Sequence, residues 1–114
     1  MKAYTDIKQS KKLAEILSPE SSDMFWREFS DGFYFIETEF PKYEESPKGI
    51  RCWSLAALIN VIKPVNENTY TIRGTLDGGA IISFDEATCV MFQEKEMIDA
   101  VFEMVVWLKE IGKL

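Results

Sequence analysis

Residues 50–62 constrain the fold more than any other part of the chain, because ten of these thirteen residues are apolar. As a helix, the part after Ser54 would be apolar on every face except at Asn60, and such a helix must be buried on several sides. Ser54 is a suitable N-cap, and Pro64 would end the helix. The i, i+3, i+4, i+7 spacing predicts a core-facing stripe of Leu55, Leu58, Ile59 and Ile62.

The composition fits one compact domain spanning residues 1–114. Apolar residues make up 46% of the chain and aromatic residues 13%, and a domain of this length buries roughly two-thirds of its unfolded surface. Cys52 and Cys89 lie in apolar runs, which is typical of reduced core thiols in a cytosolic protein. Residues 1–17 alternate charged and apolar side chains, unlike a secretory signal, so a cytoplasmic location is expected. The apolar stretch 97–108 contains two acids and is shorter than the ~20 residues that span a bilayer, so membrane insertion is not expected.

The net charge of −6 is distributed unevenly. Residues 1–14 hold four lysines and one aspartate, for a net charge of +3, whereas residues 15–48 hold nine acids and three basic residues, for −6. An acidic protein repels nucleic acid phosphates, so nucleic acid is not expected as a general partner. A local basic patch would still act within about 8 to 10 Å.

The first helix is predicted to begin at Thr5 or Asp6, with Gln9 in capping-box position, and to end before Pro19. Its apolar face combines Ile7, Ser10, Leu13, Ala14, Ile16 and Leu17. The outer face carries a basic patch of Lys8, Lys11 and Lys12. A solvated surface is the ordinary interpretation of such lysines, and a site for a phosphate or a partner is the alternative.

The opening MKAYTDIKQSKKLAEIL and the later run IRCWSLAALINVI together resemble a family of short uncharacterised proteins from gut bacteria and their phages. Members share an opening of this kind and a CWSLAAL core segment. The resemblance covers about a quarter of the chain. It implies a small stand-alone protein carried on a mobile element or phage, and it transfers no catalytic residue, since the family has no assigned activity.

A first hairpin is predicted from residues 25–29 and 33–40, which are rich in aromatic residues and flank the turn-forming sequence Ser-Asp-Gly. Residues 41–49 contain two prolines, a glycine and two adjacent acids, so they are predicted to form an exposed loop.

A second hairpin is predicted from residues 69–76 and 80–85, joined by Asp-Gly-Gly. A two-residue loop would pair Ile72 with Ser83 and would mix polar and apolar residues on each face. A three-residue loop would pair Ile72 with Phe84 and would gather the apolar positions on one face, so we expect that register.

A short strand is predicted at 89–92, followed by a final helix from about Glu94. The main apolar face of that helix is Ile98, Val101, Phe102, Val105 and Leu108. A second set widens the apolar arc beyond what one sheet face needs. These residues are predicted to contribute to a symmetric homodimer interface: Met97, Met104, Trp107 and Ile111.

The chain contains no histidine, which removes the commonest general base and the usual imidazole metal ligand. It also has no paired-cysteine zinc spacing, no calcium-loop pattern and no phosphate-binding glycine loop. Cys52 follows Arg51, which favours a reactive thiol, but its apolar neighbours favour a packing role. Glu37 and Glu39 would share one face of a strand, where a solvated acidic surface explains them better than acid-base chemistry. We therefore predict no catalytic, cofactor-binding or metal-binding residues.

These patterns predict an α+β fold: a single small domain with an antiparallel sheet of about four or five strands and helices packed mainly on one face. The favoured function is a non-enzymatic cytoplasmic interaction or regulatory protein with an unknown protein partner. One alternative is a small-ligand-binding or catalytic protein whose pocket, between sheet and helices, is lined by Tyr34, Trp53 and Tyr70. Another is an acidic decoy that presents residues 20–48 to a nucleic-acid-binding protein.

Overall fold

The computed structural model describes residues 2–30, 32–38, 49–62, 71–74, 76, 80–83, 89–112 and 114. In chain order the elements are α1 (Ile7–Ile16), a 3₁₀ helix (Pro19–Ser21), β1 (Met24–Ser30), β2 (Phe33–Glu37), β3 (Gly49–Cys52), α2 (Leu55–Ile62), β4 (Thr71–Gly74), β5 (Ala80–Ser83), β6 (Cys89–Phe92) and α3 (Met97–Glu110). The α+β class is as predicted. Within the described residues, however, the strands form two antiparallel sheets of three strands, ordered β2-β1-β3 and β4-β5-β6, instead of one sheet of four or five.

α1 begins where the sequence predicts. The Asp6 carboxylate accepts a hydrogen bond from the Gln9 backbone N–H at 2.8 Å, and the Gln9 side chain accepts one from the Asp6 N–H at 3.0 Å. This capping box satisfies amides that the first turn leaves without helical partners. The helix ends before Pro19 and buries Ser10 and Leu13.

The first sheet confirms the aromatic hairpin and adds a strand that the sequence did not indicate. β1 pairs with β2 with a register shift between Glu28 and Ser30. On its other side β1 pairs with β3, which places Trp26 opposite Ile50. The sequence predicted a loop up to Gly49 and a helix after the Ser54 cap but no strand between them, because a four-residue strand is too short to show a period of two.

The N-terminal segment ties the first sheet to the helices. The Thr5 N–H donates to the Trp53 carbonyl at 3.0 Å, and the Leu55 N–H donates to the Ala3 carbonyl at 3.2 Å. The Trp26 indole N–H, from β1, donates to the Thr5 carbonyl at 3.0 Å. The start of α1 is thus fixed against β1 and the start of α2.

The second sheet contains the predicted hairpin in a different register. Ile72 lies opposite Ile82, and Gly74 lies opposite Ala80, so the expected pairing of Ile72 with Phe84 is wrong, and so is the two-residue alternative. The observed register differs from the expected one by two positions. Because strand faces alternate with a period of two, the same positions still share a side of the sheet. A loop of two or three residues is too short here, because five positions separate β4 from β5.

α2 is capped by Ser54 as predicted, because its Oγ accepts a hydrogen bond from the Ala57 N–H at 3.1 Å. The buried positions of the helix are Ala57, Leu58 and Ile62. Ile59, which was expected in the core-facing stripe, is 38% exposed. Burial on several sides was therefore an overestimate, since α2 packs mainly against α3 and the 3₁₀ helix.

The core is built around α3, which contacts α1, α2, β5 and β6. One cluster of buried side chains joins all three helices: Leu13, Trp53, Ala57, Leu58, Ile62, Ile98, Ala100, Val101, Met104, Val105 and Leu108. Burying a large apolar side chain of this kind contributes about 1.5–3 kcal/mol. A shared cluster makes the helices one packed unit within a single α+β domain.

Candidate functional site: the groove between α1 and α3

A groove of about 440 Å³ lies between α1 and α3. From α1 and its cap it is lined by Asp6, Lys8, Gln9 and Lys12, and from α3 by Phe102, Glu103 and Val106. We call this surface the α1–α3 groove. It places two lysines of the predicted basic patch beside apolar side chains of another helix.

The α1 wall of the groove carries two lysine side chains. Lys8 and Lys12 are four positions apart, which corresponds to about 6 Å along a helix axis. Both are exposed, and neither forms an ion pair within the part of the chain that the structure describes. Lys11 is also exposed but does not line the groove. The basic patch is therefore divided between two surfaces of α1.

The α3 side supplies an apolar floor. Phe102 and Val106 are half-buried and also lie four positions apart, and Phe102 packs against the core cluster. Glu103, between them in sequence, is exposed and adds a carboxylate to the lining. The arrangement of apolar floor and cationic wall suits an amphipathic binding partner.

A polar network centred on Lys2 joins the start of α1 to the first turn of α3. The Lys2 Nζ donates to Asp99 Oδ1 at 2.6 Å, to Gln9 Oε1 at 3.0 Å and to Asp6 Oδ2 at 3.2 Å. Gln9 Nε2 also donates to Asp99 Oδ1, at 2.8 Å. These three acceptors match the three hydrogens of the ammonium group. Since Asp6 and Gln9 line the groove, the network fixes part of its wall.

The network also sets the charges near the groove. Burial raises the pKa of Asp99, but hydrogen bonds from Lys2 and Gln9, together with the charge of Lys2, outweigh it and hold the pKa below its usual value. Burial lowers the pKa of Lys2, and its hydrogen bonds to Asp99 and Asp6 and their charges hold it above its usual value. Both groups are therefore charged at neutral pH. Because Asp6 is paired with Lys2, it offsets little of the positive charge of the wall.

The residues predicted as a dimer interface are largely used within the chain. Met104 is fully buried, so its assignment to an interface is wrong. Met97 packs against the backbone of β4, and the ring of Trp107 lies 5.7 Å from that of Phe92. Ile111 is 44% exposed. The apolar arc of α3 is wide because it contacts both a sheet and two helices, and the homodimer stays a prediction resting mainly on Ile111.

Cys52 lies in a small buried polar cluster. Its Sγ is 3.4 Å from the Thr5 carbonyl oxygen and 3.5 Å from Thr5 Oγ1, which in turn lies 2.7 Å from Ser10 Oγ. The thiol is fully buried, and burial raises its pKa. A buried thiol with a raised pKa is a poor nucleophile, in agreement with the predicted packing role.

The predicted aromatic pocket is not formed by Trp53, which is fully buried in the core and donates its indole N–H to Ser21 Oγ at 2.9 Å. The apolar residues around Trp53 in the sequence are as consistent with a buried core position as with a pocket. Tyr34 is half-buried on β2, and Tyr70 lies outside the described residues.

The acidic segment 20–48 is described only in part. Glu37, on β2, forms an ion pair with Arg27 at 3.0 Å, so this carboxylate is engaged within the sheet. Glu39 lies outside the described residues, so the solvated face predicted for Glu37 and Glu39 is untested at that position, and the acidic decoy stays a prediction.

In the described part of the chain, no helix combines the length and the apolar character needed to cross a bilayer. Among the same residues, no three metal-ligating side chains of the His, Cys, Asp and Glu types come together as a metal site. Comparisons of the chain with protein-family models, with curated proteins and with solved structures find no match.

Proposed function

We propose that this chain is a non-enzymatic cytoplasmic interaction or regulatory protein that binds a partner protein through the α1–α3 groove. One observation carries the proposal: two lysines without ion-pair partners among the described residues stand beside the half-buried Phe102 and Val106. A partner segment that covers the floor removes apolar surface from water. The same segment would supply carboxylates to the lysines, so both halves of the surface would be used at once.

The chemistry of the lining favours binding over catalysis. No cysteine, serine or threonine is among the described residues that line the groove, and its Asp6 carboxylate is held by Lys2. Cys52, the nucleophile considered from the sequence, is fully buried away from solvent. We propose further, from the resemblance of its sequence alone, that the chain is carried on a mobile element or phage.

Affinity capture with a matched pair of charge reversals tests this proposal. The baits are the wild-type chain, Lys12→Glu in the groove, and Lys11→Glu on the adjacent exposed surface of the same helix. The two variants change the net charge equally and replace neighbouring exposed lysines. We expect a partner recovered by the wild type and by Lys11→Glu to be depleted with Lys12→Glu.

Equal recovery by all three baits would contradict the assignment to the groove. If the wild type enriches no protein beyond those bound by an unrelated acidic bait of the same size, the interaction function itself is wrong.

A further inference from the structure

We infer that the occupant of the α1–α3 groove is an amphipathic helix of a partner protein, with acidic residues beside its apolar stripe. The inference rests on the proposed function and adds the chemistry of the partner. It draws on the spacing of the groove residues, on the backbone that bounds the groove and on the distribution of charge.

The groove presents two matched pairs. Phe102 and Val106 repeat at about 6 Å along α3, and Lys8 and Lys12 repeat at about 6 Å along α1. A helix lying in the groove offers side chains at i, i+3, i+4 and i+7, so its apolar residues can meet the floor while acidic residues one turn apart meet the lysines.

The backbone around the groove favours a helix over an extended peptide. Both elements that bound the groove, α1 and α3, are helices whose interior N–H and C=O groups are already paired, so the groove offers no strand edge. An extended peptide would leave its own backbone groups without partners against the apolar floor. A helix satisfies these groups internally and can bury its side chains without that cost.

The charge distribution favours a short acidic segment over a nucleic acid. The basic surface is local, since residues 1–14 carry +3 within a chain of net charge −6. Its field extends about 8 Å at physiological ionic strength. Carboxylates on one helix stay within that distance, whereas a row of phosphates would extend beyond it and over the acidic remainder of the chain. A second copy of the chain would bring another net charge of −6.

A designed peptide tests the inference directly. The probe is a fluorescently labelled helical peptide with leucines at i, i+4 and i+7 and glutamates beside them. One control peptide replaces each glutamate with lysine, and another scrambles the order at constant composition. Fluorescence anisotropy measures the affinity of each peptide for the full chain in wild-type, Lys12→Glu and Lys11→Glu forms.

We expect the acidic peptide to bind, the lysine and scrambled peptides to bind far more weakly, and added salt to reduce the affinity. Lys12→Glu should weaken binding roughly fivefold or more, as expected when one ion pair becomes a repulsion, and Lys11→Glu less than about twofold. Equal binding of the acidic and lysine peptides, or equal losses in the two variants, would overturn the inference.

Other occupants give distinguishable results. Tighter binding of a single-stranded DNA oligonucleotide, lost in Lys12→Glu, would overturn both the inference and the proposed function. Self-association that disappears in Lys12→Glu would assign the groove to a second copy and overturn the inference. If no peptide binds but Lys12→Glu still depletes the captured partner, the helix is wrong while the proposed function stands.

Discussion

Gly49, at the start of β3, is the point where the first sheet has least room for a side chain. A Cβ at this position would overlap the edge of the Phe25 ring and lie 2.6 Å from the Trp26 carbonyl oxygen. Phe25 is only 7% exposed, so its ring has little space into which it can turn. Overpacking costs about 1–3 kcal/mol, while the reduced entropy of the unfolded chain returns only about 0.4–1 kcal/mol. We therefore expect Gly49→Ala to lower the free energy of unfolding by about 1–2 kcal/mol.

Urea unfolding followed by tryptophan fluorescence measures this loss as a shift of the midpoint of roughly 1 M. Gly74→Ala is the matched control, because a Cβ there meets only the end of the flexible Met97 side chain and should cost less. The double variant Gly49→Ala with Phe25→Leu should lose less free energy of unfolding than the two single variants lose together, because the smaller side chain relieves the overlap. A Gly49→Ala protein as stable as the wild type would refute the described packing of β3 on β1.

Three further outcomes are expected. Cys52 should react slowly with a soluble thiol reagent in the native state and rapidly in denaturant, and equal rates would contradict its burial. Lys2→Met should destabilise the chain by about 1 kcal/mol near neutral pH. Because the folded-state pKa of Asp99 lies below its unfolded value, its stabilisation is present above the unfolded pKa and is lost as the pH falls through the folded one. The free energies of unfolding of the wild type and Lys2→Met, measured with urea, should therefore become equal at acid pH. A difference that is independent of pH would contradict the pairing of Lys2 with Asp99. The predicted homodimer should sediment above 13.2 kDa at micromolar concentration and return to that mass with Ile111→Lys, whereas a single 13.2 kDa species for both forms would rule it out.

Local signals in the sequence predicted the elements that local chemistry specifies. The capping box of Asp6 and Gln9 fixes the start of α1, and the Ser54 cap fixes the start of α2. The first hairpin follows from turn chemistry flanked by aromatic residues. Each signal lies within a few positions of the structure it specifies, so no knowledge of the tertiary fold is needed.

The errors occurred where long-range packing decides the outcome. Nothing local in residues 49–52 separates a short strand from a loop that leads to the Ser54 cap, and their role depends on pairing with β1. The wide apolar arc of α3 predicts more apolar surface than the chain itself can cover, but Met104 is buried by neighbours that are distant in the sequence. Periodicity identifies which apolar residues share a helix face, but it does not show how many neighbouring elements pack against that face.

The sequence predicted the lysines of the candidate site but not its apolar floor. The sequence predicts Lys8 and Lys12 as exposed charges on α1, but it places Phe102 on the buried face of α3 and Val106 on neither apolar face. The groove exists because the two helices pack side by side, and a single sequence does not show that pairing. An i, i+4 lysine pair is a weak signal without the apolar floor beside it.

Site-specific photocrosslinking in cells measures most directly whether the α1–α3 groove binds a partner protein. p-Benzoyl-phenylalanine would replace Glu103, which is exposed and lines the groove, or Met91, which is 54% exposed on β6 and serves as the control. We predict a discrete crosslinked partner from position 103 that is lost when Lys12→Glu is added and retained with Lys11→Glu. Crosslinks from position 91 alone, or a product from position 103 that is indifferent to Lys12→Glu, would contradict the groove as the binding surface.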